Sequence, residues 1–220
     1  MKNESRQDKV QRLGKGISAL VGELRGGFLP PPPTLAATAA ASQSPTKRDT
    51  GQGIPPIYQR WTVDDFPIAV PFCQPFLDGA NLSLYLWSAT AGSRKTSLAC
   101  ALLREWRRTR SLDSYFVPAY QYADTVRAQP DARYWPQSDW ISCDLLVLDD
   151  VGAARNTPHM VESLTLLISR RYDHQRPTII TANMDLDALA AVLDSRVSSR
   201  LREPGGIVID MGKTDWRAKG

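Results

Sequence analysis

The amino-acid sequence predicts an α/β protein whose parallel sheet is flanked by helices. Short apolar runs recur five times between residues 82 and 211, and segments with helical periodicity separate them. Apolar runs that are bounded by turns and separated by helices are typical of parallel strands buried on both faces. The chain of 220 residues is 42% hydrophobic and 23% charged, which is ordinary for one globular core domain with additional segments.

The elements of this core follow one another in a regular order. The apolar runs predict strands at 82–87, 115–119, 144–150, 177–183 and 206–211. Between them, apolar side chains at three- and four-residue steps predict helices from Lys95 to about Thr109 and over 121–129, 159–174 and 186–201. Because parallel strands need crossover connections, this alternation of strand and helix favours a parallel sheet.

The first 53 residues differ from this core. Apolar residues spaced along one side predict a short amphipathic helix within 1–28: Val10, Leu13, Ile17, Leu20, Val21 and Leu24. That side packs either on the core domain or on another protein, and periodicity alone does not decide between them. Four consecutive prolines and an Ala-rich polar stretch then predict a flexible linker over 29–53, which leaves 54–220 as the core domain.

Charge and cysteine content narrow the class of protein. The net charge is +4, and its excess lies outside the core, since residues 57–220 carry 19 Lys/Arg and 19 Asp/Glu. The three cysteines show no metal-type spacing, so reduced core thiols are expected. No charged-then-apolar leader opens the chain, and no stretch approaches the roughly 20 apolar residues that cross a bilayer. We therefore expect a cytoplasmic protein that does not enter the membrane.

The loop after the first strand, "SATAGSRKTS" (88–97), carries the first chemical signal. A phosphate-binding loop presents backbone N–H groups at a helix N-terminus, while its Lys reaches the phosphates and its Ser/Thr hydroxyl binds Mg²⁺. Gly92, Lys95 and Thr96 match that pattern, but Ala89 and Arg94 stand where the consensus G-x-x-x-x-G-K-[ST] has glycine. The candidate nucleotide-binding residues are Ala91, Gly92, Ser93, Arg94, Lys95, Thr96 and Ser97.

Polar residues at the ends of two later strands add to this signal. Asp149 and Asp150 end the third apolar run, where buried charges are costly unless they have a partner or a function. An Asp at this place can support Mg²⁺, and a second acid can orient or deprotonate a water molecule. Asn183 ends the next run and is placed to position that water, although a turn-forming Asn is the simpler alternative.

Two arginines lie four residues apart in the last predicted helix. Arg196 or Arg200 can be presented to the phosphates of a neighbouring subunit as an arginine finger. The alternative is a surface salt bridge to Asp194 or Glu203.

The ordered set of "SATAGSRKT", "LLVLDDVGA", "RRYDHQRPTIITANM", "DSRVSSRL" and "GKTDWR" resembles the DnaC-type helicase loaders, especially phage-type versions, within the AAA+ ATPases. The transposition helper IstB shares most of these features. The resemblance covers about 61–217, and it implies an AAA+ P-loop NTPase core. It also implies that Lys95 acts on the phosphates, that Thr96 and Asp149 hold Mg²⁺, and that ATP or ADP is the ligand.

The same resemblance implies further roles and partners. Asp150 is the expected catalytic acid, Asn183 the first sensor, and Arg196 the finger acting in trans beside Arg200. The implied partners are a hexameric replicative DNA helicase, single-stranded DNA and further copies of the chain in the ATP state. The amphipathic segment within 1–28 then becomes the candidate helicase-docking element.

Three functions stay open at this point. The first is a helicase loader that binds ATP and hydrolyses it slowly despite Arg94. The second is a nucleotide-independent adaptor, in which the Arg94 side chain occupies the pocket and replaces part of the nucleotide's charge. The third is an IstB-like transposition helper ATPase.

The basic helix end "REWRRTR" (104–110) is a candidate contact for single-stranded DNA. Trp106 lies between its arginines, and Tyr120, Tyr122 and Arg127 follow shortly after. Aromatic stacking combined with positive charge is the usual means of holding single strands. A solvated helix end is the alternative.

Overall fold

The computed structural model describes residues 53–80, 82–110, 113–128, 137–152, 157–202 and 206–212. Within these ranges five strands form one sheet in the order β2-β3-β4-β1-β5, and every neighbouring pair is parallel. The strands are β1 (Ser83–Trp87), β2 (Ser114–Pro118), β3 (Leu145–Val151), β4 (Thr178–Ala182) and β5 (Gly206–Asp210). The predicted α/β class with a parallel sheet is confirmed.

Seven α-helices accompany the sheet in the described ranges. They are α1 (Val70–Leu77), α2 (Lys95–Arg110), α3 (Ala119–Ala128), α4 (Gln137–Ser142), α5 (Pro158–Asp173), α6 (Leu186–Val192) and α7 (Ser195–Arg202). Two 3-10 turns, Pro56–Tyr58 and Val63–Asp65, precede α1. None of these helices is both long and apolar enough to span a bilayer.

The helices divide between the two faces of the sheet. One apolar cluster joins α1 and α2 to side chains such as Leu84 and Val147, and a second joins α3 to α7 to their strand neighbours such as Tyr85 and Leu146. The chain moves from β1 to one edge at β2 and then returns through β3 and β4 to β5. Because crossovers are right-handed, the reversal of direction after β2 sends the later helices to the opposite face.

The structure corrects one predicted helix. Residues 186–201 form two helices, α6 and α7, with a break at Leu193 and Asp194. Asp194 Oδ1 accepts a hydrogen bond of 2.7 Å from the backbone N–H of Arg196, so it caps the start of α7. A continuous apolar period across this break concealed a new helix start.

Two short helices were not predicted. Helix α1 contains Pro71 and Pro75, residues that normally argue against a helix. Pro71 lies in the first turn, where its missing N–H removes no intrahelical bond. Helix α4 has only six residues, too few for a clear period.

The three cysteines, Cys73, Cys100 and Cys143, are buried free thiols, as predicted. Burial raises the pKa of Cys73 to about 12, which keeps this thiol protonated and unreactive. The predicted amphipathic helix within 1–28 and the linker as far as residue 52 lie outside the described residues. The domain boundaries therefore stay predictions.

Candidate active site

A cleft of about 700 Å³ opens where β1, β4 and β3 end side by side. Carboxyl ends of neighbouring parallel strands meet at one edge of a sheet, and α/β proteins bind ligands there. The cleft is lined by residues 91–97 of the loop, by Asp149 and Asp150 of β3, and by Asn183 after β4. The structure thus brings together every candidate residue of the loop and of these two strand ends.

Residues before the first strand form another wall of this cleft. Ile57, Tyr58, Arg60 and Trp61 line it, and Ile57 stays 66% exposed. Sequence reasoning did not identify this wall, since the segment has no chemical motif. The available signal was the presence of Ile57, Tyr58 and Trp61 within five residues, because apolar and aromatic side chains commonly line ligand pockets.

The loop has the backbone geometry of an anion cradle. Gly92 has φ 80° and Arg94 has φ 67°, so both residues occupy the left-handed region. Alternation of left- and right-handed residues turns successive N–H groups toward one side, which makes an anion-binding concavity. Helix α2 begins at Lys95, directly after the cradle, and adds its positive N-terminal end.

Lys95 lies in the centre of the loop and is only 7% exposed. Its Nζ donates to the carbonyls of Ser88 and Thr90 at 3.4 and 3.2 Å and to Ser93 Oγ at 3.1 Å. These three partners are neutral oxygens, and they hold the ammonium group at the cleft. The loop therefore presents a positive centre to the cleft.

The Arg94 side chain lines the cleft beside Trp61. Its guanidinium carbon lies 4.8 Å from the centroid of the Trp61 ring, which places the group on the aromatic wall of the cleft. Burial lowers the pKa of Arg94, and the Asp65 carboxylate opposes that effect. The backbone of Arg94 thus takes the conformation expected of glycine, at a strain of about 1–3 kcal/mol, while its side chain docks on Trp61.

Thr96 and Asp149 meet as a hydroxyl–carboxylate pair. Thr96 Oγ1 donates to Asp149 Oδ1 at 2.8 Å, which joins the start of α2 to the end of β3. Burial raises the pKa of Asp149, whereas the hydroxyls of Thr181 and Thr96 lower it by donating to the carboxylate. Hard oxygen ligands of this kind suit Mg²⁺, so the residues present fit the implied ion.

Asp150 and Asn183 form the second polar pair. Asn183 Nδ2 donates to Asp150 Oδ1 at 2.7 Å, so the amide fixes the direction of the carboxylate. Asp150 has φ 59°, another left-handed residue that is not glycine. Such strain is common at functional sites, where surrounding contacts maintain it.

Thr181 is a further cleft residue that sequence reasoning missed. It is buried in β4, and its Oγ1 donates to Asp149 Oδ1 at 2.7 Å. A threonine within a β-branched strand ordinarily indicates strand propensity alone. The signal that was available is a hydroxyl two residues before Asn183, near the carboxyl end of a mainly apolar run.

The two candidate finger arginines lie on α7, and neither lines the cleft. Arg196 Nη2 lies 2.8 Å from Asp194 Oδ2, with the Arg196 side chain largely exposed. Arg200 Nη2 lies 3.5 Å from Asp173 Oδ1 and its guanidinium carbon is 5.1 Å from the Tyr172 ring centroid. Arg196 thus forms the ion pair with Asp194 that was the predicted alternative. Its role as an arginine finger toward a neighbouring subunit stays a prediction.

The predicted stacking surface for single-stranded DNA is wrong at two of its aromatic positions. Trp106 is buried and stacks on Phe76 with ring centroids 4.9 Å apart. Tyr122 is fully buried, and its hydroxyl donates to the Ser163 carbonyl at 2.8 Å. Tyr120 is the exposed member of this set.

Two arginines of the same helix end donate to neighbouring elements, and a third pairs within α2. Arg107 Nη2 donates to the Ser114 carbonyl at 2.8 Å, and Arg110 Nη2 to the Leu77 carbonyl at 3.0 Å. Arg108 Nη2 lies 2.6 Å from Glu105 Oε1. The sequence "REWRRTR" therefore mainly joins α2 to its neighbours.

Comparison with known proteins places this site in context. No protein-family model matches the chain. The replicative helicase loader DnaC of Escherichia coli (strain K12) is 25% identical over 181 residues, which cover 76% of this chain and 73% of DnaC. The uncharacterized protein YdaV of the same strain is 30% identical over 74 residues, or 34% of this chain and 30% of YdaV.

Solved structures share the fold. The crystal structure of DnaI has a TM-score of 0.63 at 21% identity and covers 74% of this chain and 94% of DnaI. The crystal structure of the DnaC helicase loader has a TM-score of 0.62 at 21% identity and covers 71% of this chain and 99% of the DnaC chain. AMPPCP-bound DnaA from Aquifex aeolicus has a TM-score of 0.58 at 19% identity, and the match covers 70% of this chain and 50% of the DnaA chain. The chain has an AAA+ P-loop NTPase fold and is a relative of the DnaC-type helicase loaders.

Proposed function

We propose that this chain is a helicase loader that binds ATP with Mg²⁺ in the cleft and acts on a hexameric replicative DNA helicase. The observation that carries the proposal is the convergence of two polar pairs on the mouth of the loop. Thr96 with Asp149 and Asp150 with Asn183 line the same cleft as Lys95. An accidental Lys-Thr pair at a helix start would not place these groups at the ends of two neighbouring strands.

In this proposal each residue has a separate role. Thr96 and Asp149 would hold Mg²⁺, which neutralises phosphate charge when bound. Lys95 would bind the phosphates from within the loop, while Asp150, directed by Asn183, would accept a proton from the attacking water. Ile57 and Tyr58 offer an apolar surface to the rest of the nucleotide.

The partner is proposed from the relative. DnaC is by name a replicative helicase loader, and the chain aligns with it over 73% of DnaC. We propose that the chain acts in the cytoplasm, assembles with its own copies in the ATP state, presents Arg196 to a neighbouring subunit, and helps to place the helicase on single-stranded DNA. An adaptor that needs no nucleotide is the alternative.

The predicted docking element provides a direct test. Ile17→Glu puts a charge on the apolar side of the predicted helix within 6–25, whereas Ser18→Glu puts the same charge on the next residue, on another side of that predicted helix. If the apolar side binds the helicase, Ile17→Glu is expected to weaken the complex by about 10-fold or more, because a charge must then be buried. Ser18→Glu is expected to leave it nearly unchanged.

The measurement is the affinity of the full chain for the replicative helicase of the same organism, by size-exclusion chromatography and biolayer interferometry with ATP. Absence of a complex with the wild-type chain would contradict the loader function. Equal affinities of Ile17→Glu and Ser18→Glu would be compatible with the loader function but would indicate that another surface of the chain binds the helicase.

A further inference from the structure

The ladder between β3 and β4 is interrupted at the two carboxylates. Leu148 pairs with Ile180 and Val151 pairs with Ala182, so Asp149 and Asp150 together oppose the single residue Thr181. Two residues opposite one define a β-bulge, a feature that often occurs beside active sites. The bulge changes the directions in which the side chains of β3 point.

This interruption explains how two successive carboxylates reach one cleft. In a regular strand, neighbouring side chains point to opposite faces of the sheet. Asp149 and Asp150 nevertheless both line the cleft, and Asp150 has the left-handed φ of 59°. Something must hold this backbone, because a non-glycine residue in that conformation costs about 1–3 kcal/mol.

Thr181 makes the contacts that hold it. Its Oγ1 donates to Asp149 Oδ1 at 2.7 Å and accepts the backbone N–H of Asp150 at 2.8 Å. One hydroxyl therefore directs the first carboxylate and satisfies the backbone N–H of the second residue. Thr181 is 1% exposed, so water does not substitute for these bonds.

We propose that Thr181 is a positioning residue of the nucleotide site, whose hydroxyl sets the directions of both carboxylates; this inference rests on the proposed function. Its hydroxyl orients Asp149, the proposed Mg²⁺ ligand. It also holds the backbone of Asp150, the proposed catalytic acid that Asn183 contacts. Thr96 Oγ1 donates to the same Asp149 oxygen, so the carboxylate is held from α2 and from β4.

Packing alone does not require this hydroxyl. Valine has nearly the shape of threonine and suits a buried strand, and the neighbours of Thr181 in β4 are Ile180 and Ala182. Thr178 lies in the same strand and is equally buried, but its hydroxyl accepts from Arg171 Nε at 2.9 Å, away from the cleft. Thr178→Val is therefore a matched control for the loss of a buried hydroxyl.

The test compares Thr181→Val, Thr181→Ser and Thr178→Val with the wild-type chain. ATP affinity is measured with Mg²⁺ and with EDTA, and the kcat and KM of hydrolysis are measured where turnover is present. Thr181→Val is expected to lose most of the ATP affinity that Mg²⁺ adds, while its affinity in EDTA changes little. Where turnover is present, kcat is expected to fall by about 10- to 100-fold with KM little changed. Thr181→Ser is expected to restore both properties.

The outcomes separate this inference from the proposed function. A wild-type chain that binds no nucleotide would overturn both. Nucleotide binding by the wild type, with the Mg²⁺ dependence of Thr181→Val unchanged, would overturn the role of Thr181 alone. A loss that is equal in Thr181→Val and Thr178→Val, and that Thr181→Ser does not restore, would also overturn it by indicating general destabilisation.

Discussion

Lys95→Ala is expected to weaken ATP binding by about 10- to 100-fold and to abolish hydrolysis. Its ammonium group is held in the loop by the Ser88 and Thr90 carbonyls and by Ser93 Oγ. A charged hydrogen bond to phosphate contributes about 1.5–3 kcal/mol, which corresponds to that range of affinity. The measurement is a titration of fluorescent ATP with Mg²⁺, together with phosphate release.

A matched control removes a positive charge from the same helix. Arg108 lies at the far end of α2, has an exposed side chain and pairs with Glu105. Arg108→Ala is expected to bind ATP as the wild type does. Equal binding by Lys95→Ala and Arg108→Ala would show that the loop is not the phosphate site.

The second large effect concerns stability. Arg171 of α5 is fully buried, and burial lowers its pKa. Its guanidinium donates to neutral oxygens from three parts of the chain: Trp140 O at 2.6 Å, Ile141 O at 3.2 Å, Cys143 O at 3.0 Å, Thr178 Oγ1 at 2.9 Å and Pro177 O at 2.7 Å. One side chain thereby joins the end of α4 to the segment that enters β3 and to the start of β4.

Arg171→Met is expected to lower the free energy of unfolding by about 3–5 kcal/mol. Methionine replaces the unbranched stem of arginine but not its guanidinium, so several buried oxygens lose their donors. Each such oxygen costs about 1 kcal/mol or more. Urea denaturation followed by circular dichroism measures the change. The free energy of unfolding of Arg171→Lys is expected to lie between those of the wild type and Arg171→Met, because an ammonium group cannot reach all of these acceptors simultaneously.

Arg170 offers the control for this experiment, since it is the neighbouring arginine on the exposed side of α5. Arg170→Met is expected to change stability by less than about 0.5 kcal/mol. A similar value for Arg171→Met would contradict the role assigned to this side chain.

The strands and the order of the motifs were predictable because apolar period and turn residues are local properties. The runs at 82–87, 144–150 and 177–183 correspond to β1, β3 and β4 within two residues at each end. Because parallel strands bring their carboxyl ends to one edge of a sheet, the sequence alone predicted that Lys95, Asp149 and Asn183 lie near one another.

Features that depend on tertiary contacts were not predictable in this way. Trp106 and Tyr122 have the composition of a stacking surface but are core residues, because the partners that bury them come from other elements. Arg170 and Arg171 are adjacent and chemically identical, yet one is exposed and the other is buried. The helical period places Arg171 on the buried side of α5. Local sequence does not identify the acceptors that other elements supply to it.

The backbone at the site was also beyond local reasoning. Nothing in "LLVLDD" indicates that the ladder breaks at Asp149, and nothing in "GSRKT" indicates that Arg94 adopts φ 67°. Both residues have contacts with residues distant in sequence: the backbone N–H of Asp150 donates to Thr181, and the Arg94 side chain lies on Trp61. Strain of this kind is visible only when its compensating contacts are known.

The cleft is expected to bind nucleotide although Arg94 replaces the usual glycine. The measurement is a titration of fluorescent ATP with Mg²⁺ into the wild-type chain and into Arg94→Gly. Because the Arg94 backbone is already left-handed and its side chain lies on Trp61, both proteins are expected to bind saturably, with dissociation constants within about 10-fold of each other. Binding by Arg94→Gly with none by a folded wild-type chain would contradict this expectation and favour a nucleotide-independent adaptor.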